Sequence, residues 1–272
     1  MNTPHIAFVG AGNMASSIIG GLVESGHPAD RISAADPFPA SLERIRDIAP
    51  VAVFDDNTAA VADADVVILA VKPQVMAQAS ASIADTVQRN NAVVISIAAG
   101  VTVATMESRL GQAAIVRCMP NTPALLQLGA SGLFANEHTS ETQRGYAEFI
   151  LSAVGTTCWV GREEDLDAIT ALSGSGPAYF FLFMEAMIDA GKELGLEQEV
   201  ATGLAMQTAL GAARMAIEDE AGLVELRRRV TSPGGTTERA IASFEDSGLR
   251  ETVARAMRAA FDRAGEMARE MG

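Results

Sequence analysis

Gly10, Ala11, Gly12, Asn13 and Met14 follow the apolar run Ile6 to Val9 and precede an apolar stretch from Ala15 to Glu24. A strand that enters a glycine turn and leaves as a helix aims backbone N–H groups at a pyrophosphate, and the helix dipole favours the charge. The third position of that fingerprint is Ala15, a permitted variant. A G-x-G alone also arises for steric reasons between any strand and helix, but its place at the first turn of the chain favours binding. Near the other end, Val230 to Glu238 reads Val-Thr-Ser-Pro-Gly-Gly-Thr-Thr-Glu. Gly234 and Gly235 expose backbone N–H groups there, Ser232, Thr236 and Thr237 add hydroxyl donors, and the helix that follows points its positive end at the loop. A plain helix cap would need one hydroxyl, so the stretch reads as a site for a carboxylate-sized anion. A dinucleotide at one end and a small anion at the other are the layout of a reductase.

Other polar residues gather after strand-like runs. Asp36 ends a second apolar run some 20 residues beyond the glycine turn, where a carboxylate would hydrogen-bond the adenosine ribose of NAD and repel the 2′-phosphate of NADP. Capping the turn at Asp36-Pro37 is the competing role. Lys72 and Pro73 follow the run 66–70, and Ala99 and Gly100 follow 93–97, at the carboxyl edge where open α/β sheets collect ligands. Asn121 lies in a rigid turn between Pro120 and Pro123 near the same edge. Ser173-Gly-Ser-Gly-Pro177 forms a similar loop before the longest helix, for which a helix start with Pro in its first turn is an equally good account. None of the three histidines, His5, His27 and His138, sits in a motif, and no general acid accompanies the hydride site. That would be a defect for reducing a ketone, whose oxygen needs a proton as hydride arrives, but not for an imine that enters already protonated.

These groups need a frame to hold them. The chain has 272 residues, enough for two domains. Short Val/Ile/Ala runs at 5–9, 32–35, 51–53, 66–70, 93–97 and 114–118, with weaker ones at 130–134 and 156–160, alternate with helical stretches. That alternation predicts an α/β fold, an N-terminal doubly wound parallel sheet of Rossmann type covered on both faces. Beyond residue 163 the pattern turns all-helical, at 164–172, 177–194, 197–220, 223–229, 238–246 and 249–271, so the expected domains are 1–163 and 164–272. The helical part is rich in Ala, Gly and Met on several faces, which fits burial against a second copy of the chain.

Composition narrows the classes. A net charge of −14 repels nucleic acid and anionic lipid, so no nucleic-acid or membrane partner is expected. The most apolar long segment, 178–190, is interrupted by Glu185 and Asp189 and is too short to span a bilayer. The N-terminus has no basic stretch ahead of an apolar one, so a cytoplasmic location is expected. Cys118 and Cys158 lack metal-ligand or C-x-x-C spacing, and both read as buried small hydrophobes. No metal is expected.

Six stretches together resemble the pyrroline-5-carboxylate reductase family: Phe8 to Met14, Ala70 to Pro73, Ile97 to Val101, Arg117 to Pro123, Ala171 to Tyr179 and Val230 to Thr237. They run in order through nearly the whole chain, and the last two are the family-specific ones. The resemblance implies reduction of 1-pyrroline-5-carboxylate to L-proline, the last step of proline biosynthesis. It implies that Gly10 to Met14, Asn57, Val71, Lys72 and Ala99 hold NAD(P)H, and that Ser232, Thr236 and Thr237, with Gly235 between them, hold the substrate carboxylate. It points to Glu163 or Glu164 near the substrate, and to an all-helical dimerisation domain whose dimers assemble into decamers. Members that prefer NADP often carry a small hydroxylated residue where this chain has Asp36, so NADP and NAD both stand as cofactors. Two other readings remain open at this point. One is a β-hydroxyacid dehydrogenase-like oxidoreductase, which would require an asparagine four residues after a lysine in the long central helix, where this chain has Leu196 after Lys192. The other is a non-catalytic dinucleotide-sensing protein.

Overall fold

The computed structural model describes residues 3–271. Eight strands form one sheet in the order β3-β2-β1-β4-β5-β6-β7-β8. They are β1 (Ile6–Val9), β2 (Ile32–Ala35), β3 (Ala52–Phe54), β4 (Val66–Leu69), β5 (Val93–Ser96), β6 (Ile115–Met119), β7 (Gly129–Ala135) and β8 (Gly155–Trp159). The helices between them are α1 (Asn13–Glu24), α2 (Pro39–Ile48), α3 (Asn57–Ala60), α4 (Met76–Asn90), α5 (Val103–Leu110) and α6 (Glu141–Ser152). β1, β2, β4 and β5 are buried at every position, which is why their sequences are continuous apolar runs without alternation. Ile6 and Phe8 point into a core with Ile18, Leu22, Ile45 and Ile150 from α1, α2 and α6. Ala7 and Val9 point into a second core with Met76, Ile83, Val103 and Met106 from α4 and α5. Each fully buried Ile, Leu or Phe side chain stabilises the fold by about 1.5–3 kcal/mol.

The sheet departs from the expected all-parallel arrangement at one pairing, so that β7 and β8 run opposite to the other six strands. β7 pairs antiparallel with β6, in the register Cys118 with Leu133. The connection between them carries only a 3-10 turn, Thr122–Leu126, whereas a parallel return needs a crossover of a dozen or more residues. α6 supplies such a crossover between β7 and β8, and that pair is parallel again. β8 lies at the sheet edge, and its alternating exposure leaves Cys158 exposed while Cys118 is buried. The expectation that both cysteines are buried therefore fails for Cys158, because an edge strand has one open face.

After β8 the chain is helical: α7 (Asp165–Ile169), a π-helical turn (Thr170–Gly174), α8 (Gly176–Glu193), α9 (Gln198–Glu218), α10 (Leu223–Arg229), α11 (Thr236–Asp246) and α12 (Leu249–Met271). The chain divides into two compact units, one of residues up to Ser175 together with those from Ala259 on, the other Gly176–Arg258. The first unit thus extends beyond the boundary expected after residue 163. Leu166 and Ala171 are buried, and a Cβ on Gly132 of β7 would lie 2.7 Å from Ile169 Cγ2, so α7 packs on the sheet. In the second unit, α8 turns into α9 at Gly195, where φ is +96°, and Phe183 meets Phe244 with ring centroids 6.1 Å apart.

Candidate active site

The switch point of the sheet lies between β1 and β4, where the strand order reverses, and open α/β sheets bind ligands in the crevice outside the strand carboxyl ends there. Gly10 opens that crevice with φ +99°. Its N–H donates to the Ala35 carbonyl at 2.8 Å, and a Cβ on it would come 2.6 Å from the Ala70 carbonyl oxygen and 3.0 Å from Val71 Cγ1. Only glycine lets the turns after β1 and β4 close on each other in this way. Gly12, by contrast, faces open space. It caps α1 with no side chain bonded to the helix N-terminus and no acidic residue in the first turn. Apart from the Ser16 N–H, which reaches the Gly12 carbonyl, the opening N–H groups of α1 are free to bind an anion, and the helix dipole reinforces them. These residues fit a dinucleotide pyrophosphate.

Ala11 is held from both sides. Its N–H donates to Asp36 Oδ2 at 2.8 Å, and Arg44 Nη2 donates to its carbonyl at 3.2 Å. Asp36 Oδ1 also accepts from the Phe38 N–H at 2.9 Å. The carboxylate expected at a ribose is thus also the clamp of the glycine turn, which is the capping role. The part Arg44 plays in this turn has no signature in the sequence, because an arginine on an amphipathic helix looks like any surface charge. Lys72 is exposed and forms no ion pair among the described residues. Pro73 starts a 3-10 turn beside it. Asn57 begins α3, and its amide donates to Ser82 Oγ of α4 at 3.1 Å.

The loop after β5 stands at the same edge. Gly100 is buried with φ +78°, and a Cβ there would lie 3.0 Å from Met271 Sδ and 3.5 Å from Met267 Cβ at the end of α12. Glu163 reaches the end of this loop: its Oε1 accepts from the Val103 N–H at 2.8 Å and from Arg117 Nη1 at 2.9 Å. Arg117 is buried in β6 with its side chain 7% exposed. A charge amid Ile115, Val116 and Cys118 was the signal in the sequence for a buried ion pair, which does not survive unless it is paired.

Asn121 joins two stretches singled out in the sequence. Its Nδ2 donates to the Ser173 carbonyl at 3.0 Å, and its Oδ1 accepts from the Ala130 N–H at 2.9 Å. A Cβ on Gly174 would meet Met119 Cε at 2.8 Å. The stretch 173–177 is not the helix-opening loop expected. Ser175 N–H bonds the Thr170 carbonyl at 2.8 Å, a π turn that leads straight to α8, and such turns recur at functional sites.

In the second unit, α11 starts at Thr236, two residues earlier than its expected start. Gly235 is its N-cap residue with no side-chain cap, and Gly234 has φ +72° with its N–H donating to Glu238 Oε2 at 2.7 Å. The Ser232, Thr236 and Thr237 hydroxyls have no partner among the described residues. The Gly235 N–H in turn donates to the Ser232 carbonyl at 3.0 Å, so neither glycine exposes the N–H expected of it. The turn leaves open the three hydroxyls and the first N–H groups of α11, which suit a carboxylate. α10 ahead of the loop is fixed by Arg228 on Glu225 at 2.7 Å, Arg229 on Asp219 at 2.9 Å, and Arg227 on Glu245 of α11 at 3.5 Å. Arg228, and after it Arg229, holds the Glu225 carboxyl down at about 2.

Comparison with known proteins places the chain in a family. Residues 163–267 match the model for pyrroline-5-carboxylate reductase dimerisation, and residues 5–100 match that for coenzyme F420-dependent NADP oxidoreductase. The pyrroline-5-carboxylate reductase of Pseudomonas aeruginosa is 52% identical over the whole of both chains. The structure of a pyrroline-5-carboxylate reductase from Coxiella burnetii superposes with a TM-score of 0.96 at 46% identity, covering 98% of this chain and 99% of that one. The Plasmodium falciparum pyrroline carboxylate reductase, solved with NADP bound, superposes at 0.84 with 27% identity, covering 98% and 99%. With a relative matched from end to end at 52% identity, the chain belongs to the pyrroline-5-carboxylate reductase family.

Proposed function

We propose that this chain reduces 1-pyrroline-5-carboxylate to L-proline, the final step of proline biosynthesis, with NADPH or NADH as reductant. The observation that carries the reading is the pairing, within one family member, of an uncapped glycine turn at the sheet switch point with an uncapped hydroxyl-rich turn at α11. A bound reduced nicotinamide supplies a hydride to the carbon of the C=N bond. Gly10, Ala11, Gly12, Asn13 and Met14 hold the pyrophosphate, with Asp36, Asn57, Val71, Lys72, Pro73, Ala99, Gly100 and Asn121 around the rest of the dinucleotide. Ser232, Thr236 and Thr237 bind and orient the substrate carboxylate through their hydroxyls and the first N–H groups of α11, on the turn that Gly235 closes. The imine nitrogen enters protonated, so the electron pair of the C=N bond collapses onto nitrogen as hydride arrives and no protein acid is required.

Within this reading, 1–163 is the dinucleotide-binding domain and 164–272 the substrate and dimerisation domain. The protein works as a homo-oligomer, a dimer assembled further into a decamer, in the cytoplasm. Among the described residues no helix is long and apolar enough to cross a membrane. The test is product formation: purified protein given NADPH or NADH and pyrroline carboxylate yields proline in equimolar amount with oxidised cofactor. Oxidation of a 3-hydroxyacid instead would favour the dehydrogenase alternative, and cofactor binding without turnover of either substrate would favour a sensor.

A further inference from the structure

The loop from Ile97 to Thr102 leaves β5 at the sheet edge that carries the glycine turn; Ala98 and Val101 seat it in the core, and two further anchors come from far along the chain. At its middle, Gly100 is packed under Met267 and Met271 of α12. At its end, the Val103 N–H, the first of α5, is bonded to Glu163 Oε1, which Arg117 holds from the other side. Asp167 of α7 belongs to the same cluster. Its carboxylate oxygen would lie 3.4 Å from a Cβ on Gly265 of α12, and burial raises its pKa. No helix-start N–H elsewhere among the described residues is capped by a carboxylate 60 positions away.

We propose that Glu163 and the last turns of α12 are positioning elements for the nicotinamide-side loop 97–102. They act on the cofactor through that loop, and Glu163 is a positioning residue with no substrate contact of its own. The proposal rests on the reading that the loop faces the dinucleotide. It follows from geometry: Ala98 and Val101 root the loop in the core below, and the groups packed on Gly100 and bonded at Val103 set where Ala99 and Gly100 present their backbone. Glu163 secures the loop's exit by a charge-assisted bond to a helix N–H. Arg117, buried and paired, keeps the carboxylate from swinging away. Met267 and Met271 fill the space that the missing Gly100 side chain leaves, so the end of the chain becomes part of the cofactor edge. Loss of either anchor releases the loop without removing a group that touches substrate.

Three variants test this: Glu163→Ala, Glu163→Gln, and the double variant Met267→Ala with Met271→Ala. Cofactor affinity is read by NADPH fluorescence titration, and loop mobility by hydrogen exchange of peptides covering 97–105. The double variant, which removes the packing over Gly100, is expected to raise the NADPH Kd by an amount like the about fivefold effect of losing one hydrogen bond in Glu163→Ala, and to speed exchange in that segment, with the KM for pyrroline carboxylate unchanged. Glu163→Ala does the same, and Glu163→Gln, which keeps an acceptor for the Val103 N–H, recovers part of the affinity. Unchanged Kd and exchange in the double variant would overturn the proposal, and so would a raised substrate KM with normal cofactor affinity in Glu163→Ala. Should the parent protein bind neither NADPH nor NADH, the cofactor reading itself fails, while the exchange data still report whether the anchors hold the loop.

Discussion

Thr237 and Asp36 show how one side chain can serve both structure and chemistry. Thr237 sits in the first turn of α11 without capping it, so its hydroxyl is spare for a carboxylate. Removing a hydrogen bond made in the transition state lowers kcat/KM roughly tenfold per 1.4 kcal/mol. Thr237→Ala should therefore cut kcat/KM by about tenfold while the Tm stays within a degree or two of the parent, as paired kinetics and thermal melts would show. A lower Tm with unchanged kinetics would reduce Thr237 to a helix-start residue. Asp36 is different, because both its oxygens already accept N–H groups from Ala11 and Phe38. Asp36→Ser should weaken both cofactors by loosening the glycine turn, yet shift the ratio of their kcat/KM values toward NADPH by removing a negative charge near a 2′-phosphate. Titration of both cofactors decides it: an unchanged ratio means Asp36 clamps the turn and does nothing else. The sequence disclosed where Asp36 lies but could not rank these roles, since a carboxylate after a strand looks alike whether it meets a ribose or a backbone N–H.

Elements were more legible than their pairing. β1, β2, β4 and β5 stand out because burial on both faces demands continuous apolar residues, and α12 because Val253, Met257, Phe261 and Ala264 recur at helical spacing. The antiparallel β7 was hidden because direction follows from the length of the connection after β6, and two prolines there look like any rigid turn. The π turn at 170–174 was hidden too, since Ser-Gly-Ser-Gly reads as a loop until Thr170 and Ser175 are seen bonded. Gly10 tests the closure between the β1 and β4 turns. Gly10→Ala would force a Cβ to 2.6 Å from the Ala70 carbonyl at a positive φ, and it should destabilise by at least about 2 kcal/mol in urea unfolding. Cys118 and Cys158 test the edge strand. Burial pushes the Cys118 thiol up to about 12, so it stays protonated and should resist alkylation at pH 8, while exposed Cys158 reacts, by peptide mass spectrometry. Because the folded pKa is raised, this thiol's contribution to stability is complete below its ordinary value near 9 and is lost as the pH rises from there toward 12.

At the scale of the molecule, the helical unit cannot be understood as a lone chain. Phe180, Phe181 and Leu182 are consecutive on α8 and 70%, 57% and 66% exposed, so α8 is apolar over more than half its circumference, and Leu204, Met206 and Leu210 extend the apolar surface on α9. Surface of that extent on a monomer would aggregate, and the match of 163–267 to a dimerisation model gives it a destination. Leu182→Glu should split the oligomer or leave it insoluble, read by light scattering coupled to size exclusion, and a variant that keeps the parent mass would show that α8 lies outside the interface. That the helical half buries itself in a second copy was legible from its small and apolar residues. Hydride transfer to a ring carbon of pyrroline carboxylate can be followed with cofactor deuterated at the transferable nicotinamide position. Proline carrying one deuterium on the ring carbon next to nitrogen for each cofactor oxidised is the expected product, by mass spectrometry and NMR. Cofactor oxidation without deuterated proline would contradict that transfer.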